Sequence, residues 1–437
     1  MPPQVSNLKN LENLKEFVVG KNGDGPNIRE LGKLQYLCGY LCIKGLENVE
    51  NVEDVWKANL KDKKGITELK LVWNDESDDS HKPREILNRL RPHTNLESLW
   101  IGNYGSTNFP DWVGHHSFSC ITRVNLMGCK NCYILPALGQ LPSLEEFEIS
   151  GFDMVESIGE QFYYNGSSSA TAFKSLKWMS FSDMPRWKEW LMCGSDEEEE
   201  GGVFSKVEYL TLSDCEMING ACLPDNLPSL KELEIRGRNQ LLGSLSTCHY
   251  PSLRTLIISG CGEVESFPQG TLPSTITHIA IISCQKLVSL SDEGWPSNLN
   301  SILIRNCGKL FADTNIIKWN LRSVTSLTSL YISEVPDEVG DSFPEEGQFA
   351  NTLTSFGVRD IPSLKSLNGG FLKQLTSLEF MSISSCRQLQ CLPKEGLPAS
   401  LSWLLIDDCP LLKARYQREM GKDWHKISHI PRIDIDA

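Results

Sequence analysis

Hydrophobic residues recur along this chain in one pattern. An apolar-x-apolar pair is preceded three residues earlier by another apolar residue and followed by a small or sulfur-bearing one. In the middle of the chain the pairs begin at Leu210, Leu233, Leu256, Ile279 and Ile302, each 23 residues after the last. Alternation within a pair predicts a short strand with one buried edge, which cannot cover its apolar side chains without neighbours. The pattern therefore predicts a stack of repeated units.

Similar pairs extend this array in both directions, to about 16 units in all. They are Phe17/Val19, Leu41/Ile43, Leu69/Leu71, Leu99/Ile101, Val124/Leu126, Phe147/Ile149, Met179/Phe181, Leu330/Ile332, Phe356/Val358, Met381/Ile383 and Leu404/Ile406. The form LxxLxLxx(N/C)xL at this period is that of the leucine-rich repeat. We therefore expect an α/β repeat solenoid, a curved horseshoe with a parallel β-sheet on its concave face and irregular turns and short helices on its convex face.

The spacing and composition also predict where the array ends. We expect residues 1–415 to form the repeats and residues 416–437 a C-terminal tail, with a helix over 411–420 and a trailing segment over 421–437. Two inserts differ in composition from the repeats. Residues 163–169 are typical of a flexible loop, and residues 195–202 of a solvated acidic loop.

The net charge of the chain disfavours two classes of partner, nucleic acids and anionic membranes. The formal net charge is −14, so release of counterions from a nucleic acid or an anionic bilayer would not favour binding. We predict no membrane span, because no apolar run reaches about 18 residues. The first residues lack the basic and apolar regions of a secretory signal. We therefore expect a cytoplasmic protein that binds no nucleic acid.

Cysteine is frequent, with 15 residues, and its positions follow the repeat. Seven lie five residues after the first member of their pair: Cys129, Cys215, Cys261, Cys284, Cys307, Cys386 and Cys409. This is the N/C position of the repeat, so we expect buried, reduced thiols that contact backbone groups of adjacent units. Cys129 and Cys132 resemble half of a zinc site or a redox pair, but no second CxxC lies at a matching distance.

No other motif indicates catalysis or cofactor binding. His425 and His429 have helical metal-ligand spacing but lack the glutamate of a metalloprotease helix. Gly260 and Gly262 supply two of the three glycines of a dinucleotide fingerprint, but they follow a repeat strand instead of opening a helix. GxxxxGK[ST] does not occur in the sequence. We therefore predict no catalytic residues, no metal and no cofactor in this chain, which we do not expect to be an enzyme.

Several segments resemble one family. The opening, MPPQVSNLKNLENLKEFVVG, is similar to the segment MPxxIGxLxxLxxLxxFxVG that opens the leucine-rich-repeat region of plant coiled-coil, nucleotide-binding disease-resistance proteins (the NLR class). LCIKGLENV (41–49), ANLKDKK (58–64), FPDW (109–112) and LPALGQLP (135–142) follow in the family's order, and GKDWHKISHI (421–430) looks like its closing GEDWxKIxHIP. The resemblance covers essentially the whole chain.

The resemblance implies the recognition region of an intracellular plant immune receptor. Such a region senses pathogen effectors, or host proteins that effectors have modified, through protein–protein contacts. Its first repeats also dock on the nucleotide-binding domain of the same receptor and hold it inactive. ADP or ATP is implied only on that domain, whose P-loop and MHD tripeptide are not in this sequence. Lys61, Lys63 and Lys64 are the candidate docking edge.

Partner contacts are expected on the solvent-facing positions of the strands, which alternate with the core pairs. These are Trp100, Arg123, Glu146, Glu148, Trp178, Tyr209, Glu232, Glu234, Arg236, Ile257, His278, Ile282, Leu303, Arg305, Tyr331, Arg359, Phe380, Trp403 and Leu405. Trp178 beside Tyr209, and Phe380 beside Trp403, would form paired aromatic anchors of the kind found at interface hot spots. The alternative for any one of these residues is burial beneath a neighbouring loop, and for the three charged residues between 232 and 236 it is a solvated strand face.

Two other functions remain open. A secreted repeat protein that inhibits pathogen enzymes is disfavoured by the ladder of cysteines, the missing signal and a single glycosylation sequon at Asn165. A substrate adaptor of a ubiquitin ligase would need an F-box-like segment, which the first residues do not show.

Overall fold

The computed structural model describes most of the chain and divides it into two compact units. The described residues are 7–21, 24–74, 81–164, 172–191, 202–218, 223–224, 227–238, 241, 245, 250–266, 272–290, 295–312, 321, 324–335, 342–344, 351–394 and 396–436. The first unit consists of Met1–Leu230 and Cys248–Pro251, and the second of Lys231–Thr247 and Ser252–Ala437.

The first unit is built on a parallel sheet. Its described strands are β1 (Glu16–Val18), β2 (Cys38–Lys44), β3 (Gly65–Val72), β4 (Ser98–Gly102), β5 (Arg123–Met127), β6 (Glu146–Ser150), β7 (Ser157–Ile158), β8 (Trp178–Ser182), β9 (Glu189–Trp190) and β10 (Tyr209–Ser213). All but β7 and β9 pair with the next repeat strand in parallel, β1 with β2 through to β8 with β10. Strands β7 and β9 form a separate parallel pair.

The second unit repeats this arrangement. Its described strands are β11 (Glu232–Arg236), β12 (Thr255–Ser259), β13 (His278–Ile282), β14 (Ser301–Arg305), β15 (Ser329–Ser333), β16 (Ser342–Phe343), β17 (Ser355–Arg359), β18 (Ser366–Leu367), β19 (Phe380–Ser384), β20 (Trp403–Asp407) and β21 (Arg432–Ile435). Strands β16 and β18 pair with each other, and the rest pair in parallel in chain order. The predicted parallel sheet of a leucine-rich-repeat fold is confirmed.

Short helices and turns connect the strands, as predicted. The α-helices are α1 (Glu53–Trp56), α2 (His81–Arg89), α3 (Glu160–Tyr163), α4 (Lys309–Ala312), α5 (Gly369–Gln374) and α6 (Pro410–Tyr416). Short 3-10 helices cover Ile28–Lys33, Leu46–Asn48, Leu60–Asp62, Leu138–Gln140 and Trp424–Lys426. Frequent proline and glycine between strands, as in residues 135–142, limit helix length because proline removes a backbone donor and glycine disfavours helix.

The pair residues form the core of each unit. Leu210 in the first unit, and Leu233, Leu256, Ile279 and Ile302 in the second, are at most 2% exposed. The residues that alternate with them along each strand are mostly half-buried or exposed. The alternation therefore gives every repeat strand one apolar face against the core and one face toward solvent.

A turn of one conformation follows the repeat strands. From the Leu99/Ile101 pair to the Leu404/Ile406 pair, the residue four positions after the first pair member has a φ between 47° and 70°. These residues are Asn103, Gly128, Gly151, Asp183, Asp214, Gly237, Gly260, Ser283, Asn306, Glu334, Asp360, Ser385 and Asp408. In each unit most of their N–H groups donate to a carbonyl of the next strand, as from Gly128 to Ser150 O (2.7 Å) and from Gly260 to Ile282 O (2.8 Å). Glycine, asparagine and aspartate are frequent here because they tolerate the left-handed region.

Where a cysteine follows this turn, its thiol donates to backbone carbonyls at the ends of two neighbouring strands. Cys261 Sγ donates to Ile235 O of the preceding strand (3.9 Å) and to Ser259 O of its own strand (3.6 Å). Cys284 donates in the same way to Ile258 O and Ile282 O. All seven cysteines of the ladder are free and at most 2% exposed, so the prediction of buried thiols is confirmed. Burial raises the pKa of the Cys129 and Cys215 thiols to about 12.

The first predicted insert begins inside the core. The prediction of a flexible loop is wrong at Tyr163, which is the last residue of α3 and is fully buried. Its hydroxyl accepts a hydrogen bond from Trp190 Nε1 (2.7 Å), and its ring contacts those of Phe162 and Phe173. The remainder of this insert from residue 165, and residues 195–201 of the acidic insert, lie outside the described residues.

The C-terminal segment differs from the predicted trailing tail. Helix α6 ends at Tyr416, earlier than predicted, and β21 then pairs in parallel with β20. The segment between them is held by Ile427 and Ile430, both buried, and by Asp423, whose carboxylate pairs with Arg415 and Lys426. These two cations lower the pKa of Asp423 to about 2. The alternating Arg-Ile-Asp-Ile of β21 supplies one more strand.

The left-handed turns predict a stabilising substitution. Ser385 holds a φ of 54°, which costs a residue with a Cβ about 1–2 kcal/mol. We expect Ser385→Gly to raise the free energy of unfolding by about 0.5–1 kcal/mol once the extra chain entropy of glycine is subtracted. Its neighbour Ser384 lies in β19, and Ser384→Gly should lower stability by about as much. Urea unfolding measures both, and a loss of stability in Ser385→Gly would contradict this explanation of the turn.

Candidate recognition surface

The predicted contact residues all lie in strands, on the side that alternates with the core pairs. Their side chains are exposed or half-buried, and none of them is buried. The exposed ones are Arg123, Tyr209, Arg236, His278, Arg305 and Arg359. Their placement on the solvent-facing side agrees with the sequence analysis, while their role in binding stays a prediction.

In the first unit, four of these residues lie side by side. Arg123, Glu146, Trp178 and Tyr209 occupy the same position on four successive paired strands. Arg123 Nε donates to Glu146 Oε2 at 2.9 Å. Tyr209 is 39% exposed, so its ring presents an accessible aromatic surface beside Trp178. The predicted neighbours Trp178 and Tyr209 are thus adjacent in register.

Trp100 is held in place by two neighbours. Its ring lies over Gly102, where a Cβ would collide with the indole. Lys70 occupies the equivalent position on the preceding strand, and its Nζ is 3.6 Å from the centroid of the ring. This cation–π contact fixes both side chains. Lys70 was not among the predicted contact residues, although it lies between Leu69 and Leu71 and alternation places it on the solvent-facing side.

Tyr40 is a second exposed ring that the sequence analysis left out. It immediately precedes the Leu41/Ile43 pair on β2 and is 41% exposed. Partial burial, the neighbouring Cys42 and the carboxylates of Glu16 and Glu68 raise the pKa of its hydroxyl to about 12. The phenol is therefore a neutral group that can donate a hydrogen bond at neutral pH.

In the second unit, Phe380 and Trp403 do form an aromatic pair, with ring centroids 4.6 Å apart. The guanidinium of Arg432 lies 3.9 Å from the centroid of the Trp403 ring. Trp403 Nε1 donates to Asp434 Oδ2 at 2.8 Å, and Arg432 Nε donates to the same oxygen at 2.9 Å. Arg432 and Asp434 were missed because the segment containing them was predicted as a tail.

The middle of the second unit presents a mostly apolar row. Ile257, Ala280, Leu303, Tyr331 and Gly357 occupy equivalent positions on five successive paired strands. All but Gly357 are half-buried. The Tyr331 ring lies where a Cβ on Gly357 would be.

Charged residues beside that row are paired. Arg236 Nε lies 2.6 Å from Glu234 Oε1, and Arg305 NH2 lies 2.6 Å from Glu334 Oε1. Partial burial, with a smaller contribution from Glu234, raises the pKa of Glu232. Glu234 and Arg236 thus neutralise each other on the strand surface.

The predicted docking edge is only partly a surface. Lys61 and Lys64 are exposed, but Lys63 is 3% exposed and its Nζ donates to Leu34 O at 2.6 Å. Burial lowers the pKa of Lys63 to about 8. The prediction that Lys63 belongs to the docking edge is therefore wrong, because its side chain donates to a backbone carbonyl inside the unit. Trp56, which is 60% exposed, lies on the nearby helix α1 and was not predicted.

Other candidate chemistry finds little support in the geometry. Cys129 and Cys132 are both buried, and Cys132 Sγ donates to Ser106 O at 3.0 Å. His425 and His429 are exposed. Over the residues that the structure describes, no group of three or more His, Cys, Asp or Glu side chains is placed to hold a metal ion. A helix with the length and apolar character needed to span a membrane is also not found in that part of the chain.

The chain is similar in sequence to proteins named as plant disease-resistance proteins. Residues 28–152 match the model of the R13L1/DRL21 leucine-rich repeats. The chain is 30% identical to a protein named as disease resistance protein RGA4 of Solanum bulbocastanum, over 99% of this chain and 38% of that protein. It is 37% identical to a disease resistance RPP13-like protein 1 of Arabidopsis thaliana, over 56% of this chain and 24% of that protein. It is 29% identical to disease resistance protein RGA2 of Solanum bulbocastanum, over 59% and 26%. The chain thus spans well under half of the length of each relative.

The buried Lys63 predicts a pH dependence of stability. Its pKa falls from the ordinary 10.5 to about 8 on folding, so between these values the unfolded chain binds more protons than the folded chain. The contribution of Lys63 to stability therefore rises as pH increases from about 8 to about 10.5. We expect the difference in unfolding free energy between wild type and Lys63→Met to shift in favour of wild type across that range. Lys61→Met, at an exposed position, is the control, and a constant difference for Lys63→Met would contradict the assignment.

Proposed function

We propose that this leucine-rich-repeat region of the plant disease-resistance type is the recognition part of an intracellular immune receptor. It binds a pathogen effector, or a host protein that an effector has modified, through the solvent-facing side of its sheets. It acts by binding and carries out no reaction of its own. The observation that carries this proposal is the set of half-exposed aromatic rings, Trp100, Trp178, Tyr209, Phe380 and Trp403, on strand positions where folding requires no large apolar side chain.

A second contact belongs to the same proposal. The first repeats dock on the nucleotide-binding domain of the full-length receptor and hold it inactive, with ADP or ATP bound on that domain and no cofactor on this chain. Lys61 and Lys64 supply exposed cations for this contact, and Trp56, five residues before Lys61 in the sequence, supplies an exposed ring. The guanidinium of Arg89 lies 5.7 Å from the Trp56 ring centroid, so this aromatic group is partly ordered before any partner arrives. We place the receptor in the cytoplasm.

Site-specific crosslinking tests which surface meets the partner. A photoreactive benzoylphenylalanine replaces Trp178, Phe380 or the control Tyr133 in the full-length receptor, expressed in leaves with and without pathogen challenge. Tyr133 is 52% exposed and follows a turn outside the strands. We expect a crosslinked protein from positions 178 or 380 that depends on challenge, because those rings face the partner. Crosslinks from position 133 alone, or equal crosslinks without challenge, would contradict the proposal.

A further inference from the structure

The first unit carries a strand surface with a distinct composition. It consists of the outward side chains of β5, β6, β8 and β10 and of the residue that follows each of these strands, and we name it the acid–aromatic face. Two large rings, Trp178 and Tyr209, lie side by side at the start of the paired strands β8 and β10. Tyr209 is 39% exposed and Trp178 is half-buried. Each ring presents a π surface that can take a cation or an apolar group.

The charges on this face have one predominant sign. Its cation is Arg123, and its anions are Glu146, Glu148, Asp183 and Asp214, so its net charge is 1 − 4 = −3. Arg123 is already paired with Glu146. The row of residues just before these strands does not offset the negative charge, because it contains Glu145, Lys177 and Glu208, a net charge of 1 − 2 = −1.

Neutral donors orient several of these carboxylates. Asn125 Nδ2 donates to Glu148 Oε2 at 2.9 Å, and Ser213 Oγ donates to Asp214 Oδ2 at 2.9 Å. Asp183 Oδ2 accepts from Ser150 Oγ at 3.5 Å. Amide and hydroxyl donors hold the carboxylates of Glu148 and Asp183 in position without cancelling their charge, which favours a negative potential on the face.

The size of the face sets the size of what it can bind. Its four strands are joined by three parallel pairings. At about 4.8 Å per pairing they span about 14 Å. An extended peptide covers this distance with about four or five residues, at about 3.3 Å each. Cations on alternate residues of such a peptide would be about 6.6 Å apart, and two or three of them would fit across the four strands.

We infer that the acid–aromatic face binds an extended segment of a partner protein that carries two or three arginine or lysine residues on alternate positions. Some of its cationic groups lie over Trp178 and Tyr209 at the start of their strands, and others pair with the carboxylates of Glu148 and, at the end of β8, of Asp183. Negative potential recruits the segment, and the ordered rings supply contact area at low entropic cost. This inference rests on the proposed function and specifies the chemistry of the partner at this part of the surface.

A defined peptide tests the inference. The probe is the fluorescein-labelled hexapeptide Arg-Gly-Arg-Gly-Arg-Gly, with the glutamate version as a charge-reversed control, and binding to the whole chain is measured by fluorescence anisotropy at low and high salt.

The near-isosteric double variant Glu148→Gln with Asp183→Asn should weaken binding about tenfold, and Trp178→Leu about threefold. The matched control is Glu263→Gln with Glu265→Gln, which makes the same change in net charge at exposed positions outside the face. It should change the affinity less than about twofold. Circular dichroism melts confirm that each variant is folded.

The outcomes separate this inference from the proposed function. Selective weakening by the face variants, together with no binding of the glutamate peptide, would support the acid–aromatic face. Equal weakening by the Glu263 and Glu265 control would show that the peptide responds only to overall charge and would overturn the inference. Equal binding of the glutamate peptide would overturn it as well. If the peptide ignores the face but a challenge-dependent crosslink still forms at position 178, the inference fails and the proposed function stands. If no such crosslink forms from either strand position, the proposed function itself fails.

Discussion

The end of each repeat strand is the constraint on which the rest of the molecule depends. A parallel strand that turns away from its sheet leaves backbone groups that must find partners inside a dry core. Here one residue in the left-handed conformation donates its N–H to the next strand, as Asp360 does to Ser384 O at 2.9 Å. A buried thiol one residue later, such as that of Cys409, then donates to the carbonyls of Asp407 and Ile383. Because this turn recurs, successive strands begin and end in register within each unit.

The register between paired strands aligns equivalent outward side chains of successive repeats on one surface. Since equivalent residues of paired strands lie about 4.8 Å apart, any side chain repeated at an outward position forms a column across the sheet. In the first unit such columns carry carboxylates around Trp178 and Tyr209, whereas a column of the second unit carries Ile257, Leu303 and Tyr331. The same core pattern is therefore compatible with surfaces of different chemistry. Recognition of a protein partner needs this combination of a fixed scaffold and variable outward positions.

The sequence predicted the features that follow from alternation and period. The paired leucines and isoleucines, the parallel strands and the buried thiols are all set by spacing, and they are found where the pattern places them. Features that depend on three-dimensional neighbours were not predicted. Lys63 is buried because Leu34 O lies within reach, and Tyr163 because Trp190 folds onto it. Strand β21 was missed because one short Arg-Ile-Asp-Ile segment without a full repeat carries too weak a pattern.

The central claim is that the repeats of a unit are stable only together, because each strand needs its neighbours to cover its apolar edge. Hydrogen exchange measured by mass spectrometry on Leu256→Asp tests it most directly, with Ile257→Asp as the control. Leu256 is fully buried in β12, and Ile257 is half-buried on the outward side of the same strand. An unpaired carboxylate in the core should remove amide protection from β11 through β14, while the control should leave those strands protected. Loss of protection confined to β12 in Leu256→Asp would contradict the account.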